Sequence, residues 1–210
     1  MTNDLMIHLV DDEESLRRSL TFLLVSAGFA VRAHSCAKAF LELLPLSGRN
    51  CLVTDLRMPD VNGIELLQQM HRFNMDVPAI VITGQGDVAA AVQAMKAGAF
   101  DFLEKPLREE ALIAAINGAV GQRRTGRAIA GSESIATRLR QLTEREHQVL
   151  AGVLDGLQNK MIAYHLGISV RTVEVHRANV MAKMGARNLA ELMRMAITVD
   201  TPAQSLETQV

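Results

Sequence analysis

The sequence predicts two folds in series: an open α/β domain on a parallel sheet over residues 1–122, then an all-helical, four-helix domain over residues 141–199. Three observations carry this. Over the first 122 residues short apolar runs alternate with longer stretches of helical period. From residue 142 to residue 198 only helical periods occur. The charge divides at the same place. Residues 1–120 hold 10 Lys and Arg against 15 Asp and Glu, a net of −5, and residues 121–210 hold 12 against 8, a net of +4. An acidic half followed by a basic half points to two jobs, the second on a polyanion such as DNA.

In the first half the apolar runs are residues 5–10, 29–34, 51–54, 77–83 and 100–104, and helices start near Glu13, Ala37, Gly63, Asp87 and Glu109. Five such βα units need a parallel sheet covered on both faces, with right-handed crossovers. Gly28 and Gly98 stand where a helix ends and a strand follows. Gly121, Gly126 and Gly131 interrupt the next stretch, so residues 123–140 read as a linker, helical in part. Thr143 and Glu146 form a capping box that opens the second domain, and Val149, Leu150, Val153 and Leu154 follow at helical spacing. Residues 159–166 form a second helix. Gly167, Ile168 and Ser169 make a tight turn, and Ser169 caps a third helix running to about Met184. Asn188 and Glu191 begin a fourth, and residues 200–210 read as a disordered tail.

Composition narrows the function classes. At 49% hydrophobic residues the chain buries a sizeable core, and no apolar run is long enough to span a membrane. The first residues, MTNDLMIHLVDDEE, have no basic region ahead of the apolar stretch, unlike a secretory signal. Cys36 and Cys51 have neither metal-site spacing nor the number of a disulfide framework, so the expectation is a reduced cytoplasmic protein. Trp is absent and aromatics are 3%, which argues against stacking on single-stranded nucleic acid.

Ligands of an open parallel sheet bind at the carboxyl ends of its strands. There the sequence places Asp11, Asp12, Glu13 and Glu14 after the first strand, Asp55 at the end of the third, Thr83 at the end of the fourth and Lys105 after the fifth. Crowded carboxylates need a cation among them, and an oxygen-only donor set favours Mg²⁺. Asp55 can then act as a carboxylate nucleophile toward phosphorus, with Lys105 neutralising the transferring oxygens and Thr83 bonding one of them. A nucleotide-binding enzyme on the same sheet would want glycines after the first strand, where this chain has carboxylates.

Residues 7–14 (IHLVDDEE), 53–63 (VTDLRMPDVNG), 80–84 (IVITG) and 100–106 (FDFLEKP) resemble a bacterial receiver domain. The resemblance covers residues 4–122. It implies a flavodoxin-like sheet with strand order 2-1-3-4-5, Asp55 as phospho-acceptor, and a Mg²⁺ site of Asp11, Asp12, Asp55 and the Arg57 carbonyl. It further implies Thr83 and Phe102 as a switch pair, a cis Lys105–Pro106 bond, and dimerisation through a face that includes Val92 and Lys96. Leu107 departs from the family, where an aromatic is frequent.

In the second half, helix, glycine turn and helix make a helix-turn-helix unit whose second helix enters the major groove. Val173, Val180 and Met184 recur on one side of that helix and should face the core. The other side offers Arg171, Thr172, Glu174, Val175, Arg177, Ala178 and Lys183. Arg171, Arg177 and Lys183 suit phosphates, Glu174 and Val175 suit base edges, and Ala178 permits close approach. This stretch resembles the LuxR/NarL-type output domain. Together the halves resemble two-component response regulators of nitrogen-fixation and microaerobic genes. That implies a cognate sensor histidine kinase, a homodimer on phosphorylation, double-stranded promoter DNA, RNA polymerase as a further partner, and a regulator rather than an enzyme. The competing class is an architectural DNA-binding protein whose first domain only dimerises.

Overall fold

The computed structural model describes residues 5–84, 88–124 and 132–200. The chain divides into two compact units, Met1–Gly126 and Arg127–Val210. In the first, β1 (Leu5–Val10), β2 (Ala30–His34), β3 (Arg49–Asp55), β4 (Ala79–Thr83) and β5 (Asp101–Glu104) form one parallel sheet in the order β2-β1-β3-β4-β5. The connecting helices are α1 (Glu14–Ser26), α2 (Ala37–Leu41), α3 (Gly63–Arg72), α4 (Val88–Lys96) and α5 (Glu109–Arg124). The expected order and the parallel sense both hold.

Strand alternation assigns the two faces. Ile7, Leu9, Val53, Ile80 and Ile82 pack with Leu20 and Leu24 of α1 and Leu112 and Ile116 of α5. The opposite face carries α2, whose Phe40 ring meets the His8 ring edge-on at 5.2 Å. Fully burying one Leu or Ile contributes roughly 1.5–3 kcal/mol, so this double-sided core is the main source of the unit's stability. One polar group interrupts it: His8, His34 and Asn50, from three adjacent strands, are all buried and hydrogen-bonded in a row.

The second unit holds the four expected helices, α7 (Glu144–Leu154), α8 (Asn159–Leu166), α9 (Val170–Met184) and α10 (Leu189–Asp200), preceded by α6 (Ser132–Arg140). The Thr143–Glu146 capping box forms as read, and Ser169 caps α9 by accepting from the Thr172 N–H. Gly167 adopts φ 64°, the left-handed conformation that the tight turn between α8 and α9 requires. Val173, Val180 and Met184 are buried as expected. The helix α6 lies within the stretch read as linker, and its Ile135 and Leu139 pack against Leu142, Leu150, Val180, Met184 and Leu192. The tail read as disordered, beyond Asp200, lies outside the described residues, as does Asp87. No helix among the described residues is long and apolar enough to cross a membrane.

Candidate functional site

Parallel pairing brings the strand ends of β1, β3, β4 and β5 to one rim. Val10 lies opposite Thr54, Asp55 opposite Ile82, and Thr83 opposite Glu104. Asp11, Asp55, Thr83 and Lys105 therefore meet at adjacent positions. Asp55 is buried, and both its carboxylate oxygens are engaged: Oδ1 pairs with Lys105 Nζ at 2.5 Å and Oδ2 accepts the Arg57 N–H at 2.7 Å. Burial opposes the Lys105 charge, but the hydrogen bond and charge of Asp55, with Asp11 and Glu13 beyond, outweigh it and raise the ammonium's pKa above its ordinary value. The cation is thus held charged over the carboxylate. The Lys105–Pro106 bond is cis, as the resemblance implied.

Asp11 is fully buried. Its Oδ1 accepts the Glu13 N–H at 2.8 Å, and its backbone carbonyl accepts from Arg17 Nη1 at 2.8 Å. Its Oδ2 is buried with no hydrogen-bond partner. Burial raises the Asp11 carboxyl above the usual carboxylate range; the charges of Asp55 and Asp12 add to this, while the Glu13 N–H and Lys105 oppose it. A buried, unpaired carboxylate oxygen beside a second carboxylate is an environment that a divalent cation relieves. Asp12 is exposed, and among the described residues no three His, Cys, Asp or Glu side chains gather as a metal cage. Asp12 therefore stands at the solvent edge of the pair, near enough for its charge to act on Asp11. Two buried carboxylates supplemented by carbonyl oxygens remain a fitting set for Mg²⁺, which is bound through one or two carboxylates and keeps its waters.

Thr83 is buried at the end of β4, and its Oγ1 also lacks a partner. Phe102, on β5, is half-buried. On α4, Lys96 is exposed but Val92 is 2% exposed, packed into the core. Val92 is therefore no surface contact in this arrangement, and its assignment to an interface is corrected.

On α9, Arg171, Glu174, Val175 and Ala178 are exposed, Val175 to 52%. Thr172 is half-buried and shares a hydrogen bond with the Ser169 hydroxyl. Two of the three expected phosphate contacts are occupied within the unit. Arg177 donates to Asn159 Oδ1 at 2.6 Å, tying α9 to the start of α8. Lys183 pairs with the buried Glu146 at 2.6 Å and holds its carboxyl below the usual carboxylate range. Lys183 thereby completes the helix cap that Glu146 forms with Thr143. Sequence reasoning also missed Arg17, which fixes the Asp11 carbonyl from α1, and Gly63, which packs on the Asp55 backbone. A glycine opening a helix was the available signal for Gly63; Arg17 gave none.

Comparison with known proteins agrees with both halves. Residues 7–117 match the response regulator receiver domain, and residues 140–196 match the luxR family of bacterial regulatory proteins. The chain is 53% identical over 195 residues to the transcriptional regulatory protein FixJ of Rhizobium meliloti, covering 92% of this chain and 96% of that one. It is 46% identical over 192 residues to the C4-dicarboxylate transport transcriptional regulatory protein DctR of Rhodobacter capsulatus, covering 90% and 98%. The crystal structure of full-length FixJ from B. japonicum superposes with a TM-score of 0.58 at 46% identity, covering 95% of this chain and 98% of that one. The chain belongs to the two-component response regulators, as a FixJ-like transcriptional regulator with a receiver domain and a LuxR-type DNA-binding domain.

Proposed function

We propose that Asp55 accepts a phosphoryl group from a sensor histidine kinase in the cytoplasm and that the modified chain dimerises and activates transcription at promoter DNA. The observation that carries this is the buried Asp55 carboxylate, paired with Lys105 beside the unsatisfied oxygen of Asp11. Asp11, Asp55, the Arg57 carbonyl and the nearby Asp12 would hold Mg²⁺, which when bound neutralises phosphoryl oxygens as they approach. Lys105 is within reach of the same oxygens, and its raised pKa keeps it cationic. Transfer is then mostly positioning and electrostatics. Asp55 supplies the nucleophilic oxygen, and the Arg57 N–H orients it.

The phosphoryl group offers acceptors to the Thr83 hydroxyl, and Phe102 turns inward as Thr83 moves. The face of α4, β5 and α5 then pairs with a second copy, with Lys96 at the surface and Val92 behind it. Driving such a switch from mostly off to mostly on takes about 5.5 kcal/mol. One hydrogen bond supplies about 1 kcal/mol, so the dimer contacts supply much of the rest. In the second unit α9 enters the major groove, where Glu174 accepts from cytosine and Val175 meets a thymine methyl. Arg171 contacts phosphate, and Arg177 reaches it only at the expense of its bond to Asn159. Fold does not choose the genes; on the overall resemblance we assign nitrogen-fixation or microaerobic genes, with RNA polymerase recruited at their promoters.

The test is reaction with a small phosphodonor, with and without Mg²⁺, read by intact mass. The parent gains one phosphoryl group only with Mg²⁺, and Asp55→Asn gains none and loses phosphodonor-dependent DNA binding. Phosphorylation of Asp55→Asn moves the nucleophile elsewhere. No mass gain in the parent leaves the first domain a dimerisation scaffold.

A further inference from the structure

The last turn of α9 is held from outside the helix-turn-helix. Arg138, on α6, donates from Nη1 to the Met184 carbonyl at 2.7 Å. Met184 ends α9, so this carbonyl is among the four that a helix leaves without an internal partner. A cation there also meets the negative end of the helix dipole. One residue back, Lys183 donates to Glu146 Oε2 at 2.6 Å and to the Gln141 carbonyl at 3.3 Å. Every one of these partners lies within residues 138–146, where α6 meets α7. Apolar contacts run in parallel, since Ile135 and Leu139 share a cluster with Val180 and Met184 of α9.

We infer that Arg138 is a positioning residue for DNA recognition: it fixes the C-terminal end of α9 from α6, the first helix of the second unit. This rests on the reading of α9 as the recognition helix. The base-reading residues, Glu174 and Val175, lie in the N-terminal half of α9, and Arg138 acts at the far end. In this role Arg138 acts through α9 and not through a phosphate. It sets how firmly the reading half is presented, and a movement of α6 changes DNA affinity without altering any residue that meets DNA.

The test compares the phosphorylated full-length parent, Arg138→Ala, Arg138→Lys and Arg171→Ala on a duplex recovered by selection from random DNA. Binding is measured at several salt concentrations, at a temperature where circular dichroism shows every variant folded. Loss of the pre-organisation that this bond gives α9 corresponds to about a tenfold weakening of binding in Arg138→Ala. The salt slope stays at the parent's value, and Arg138→Lys recovers most of the affinity because it retains a charged donor. Arg171→Ala instead reduces the slope by about 1. Parental affinity in folded Arg138→Ala makes the clamp merely structural and overturns the inference. So does a slope reduced by about 1 in that variant, which would be a direct phosphate contact. If Glu174→Ala and Val175→Ala both leave the selected sequence unchanged, α9 is not the reading helix, and the inference falls with that reading.

Discussion

A histidine in the middle of a parallel strand loses water on both sides, so its proton inventory is forced by its neighbours. Asn50 Nδ2 donates to the carbonyls of Ser47 and Gly48, at 3.0 and 3.2 Å. Its Oδ1 therefore faces His8 Nε2, at 3.1 Å, and that nitrogen carries the proton. His8 Nδ1 is left to accept from His34 Nε2, also at 3.1 Å. Both rings are neutral in this arrangement. Burial pulls both pKa values down, and His34, with the His8 and Arg32 charges adding, falls from 6.5 to about 4. In the unfolded chain the same ring protonates near its ordinary value. The neutral pair's stability is therefore complete above the unfolded value and is lost as pH falls through the window down to the folded one. Between about pH 7.5 and about pH 5, His34 alone should remove roughly 2 kcal/mol from the receiver. Urea unfolding of the parent and of His34→Phe checks this. An equally steep pH dependence in the variant would place the titrating group elsewhere.

At the scale of elements, α3 starts in contact with the end of β3. Gly63 donates its N–H to the Leu56 carbonyl at 2.9 Å, and a Cβ on it would lie 2.6 Å from the Asp55 carbonyl oxygen. The clash is with backbone, so β3 or α3 must move, and Asp55 and Arg57 move with it. Gly63→Ala should cost roughly 2 kcal/mol of stability, as overpacking does, and slow phosphorylation by the small donor. Parental rate and stability together would show that the loop yields freely. Elements also mark what the sequence could convey. Asp11, Asp55, Thr83 and Lys105 were legible because each stands at a strand end, and a parallel sheet collects its strand ends. Val92 was not, because it stands one turn before Lys96 and the polar residues of VAAAVQAMK, Gln93 and Lys96, are too few to bound the buried face. The partners of Arg177 and Lys183 were not legible, because charge spacing does not distinguish a cation facing solvent from one bonded to Asn159 or Glu146. Those partners are 18 and 37 residues away. The His8 network was missed for the same reason, its partners lying 26 and 42 residues away.

Across the whole molecule, the stretch between the sheet and the helix-turn-helix contributes to a core. The sequence shows glycines there and no sustained apolar period, and the two residues that matter, Ile135 and Leu139, have partners beyond residue 141. A C-terminal fragment beginning at residue 132 should therefore outlast one beginning at residue 141. Burying two partly exposed aliphatic side chains and one charge-assisted hydrogen bond contributes about 2–4 kcal/mol. Thermal unfolding of the two fragments measures the difference, and equal midpoints would make α6 a passive spacer.

The orphaned Thr83 hydroxyl implies that responsiveness and resting stability oppose each other in this chain. A buried hydroxyl without a partner costs about 1–3 kcal/mol relative to a satisfied one, and Val matches Thr in shape without that cost. Thr83→Val should thus be about 1 kcal/mol more stable than the parent, with a higher melting temperature, while accepting the phosphoryl group on Asp55 and failing to transmit it to DNA binding. A lower melting point would mean that the hydroxyl is satisfied at rest. In the response proposed above, the oxygen that weakens the resting fold is the one that answers the phosphoryl group.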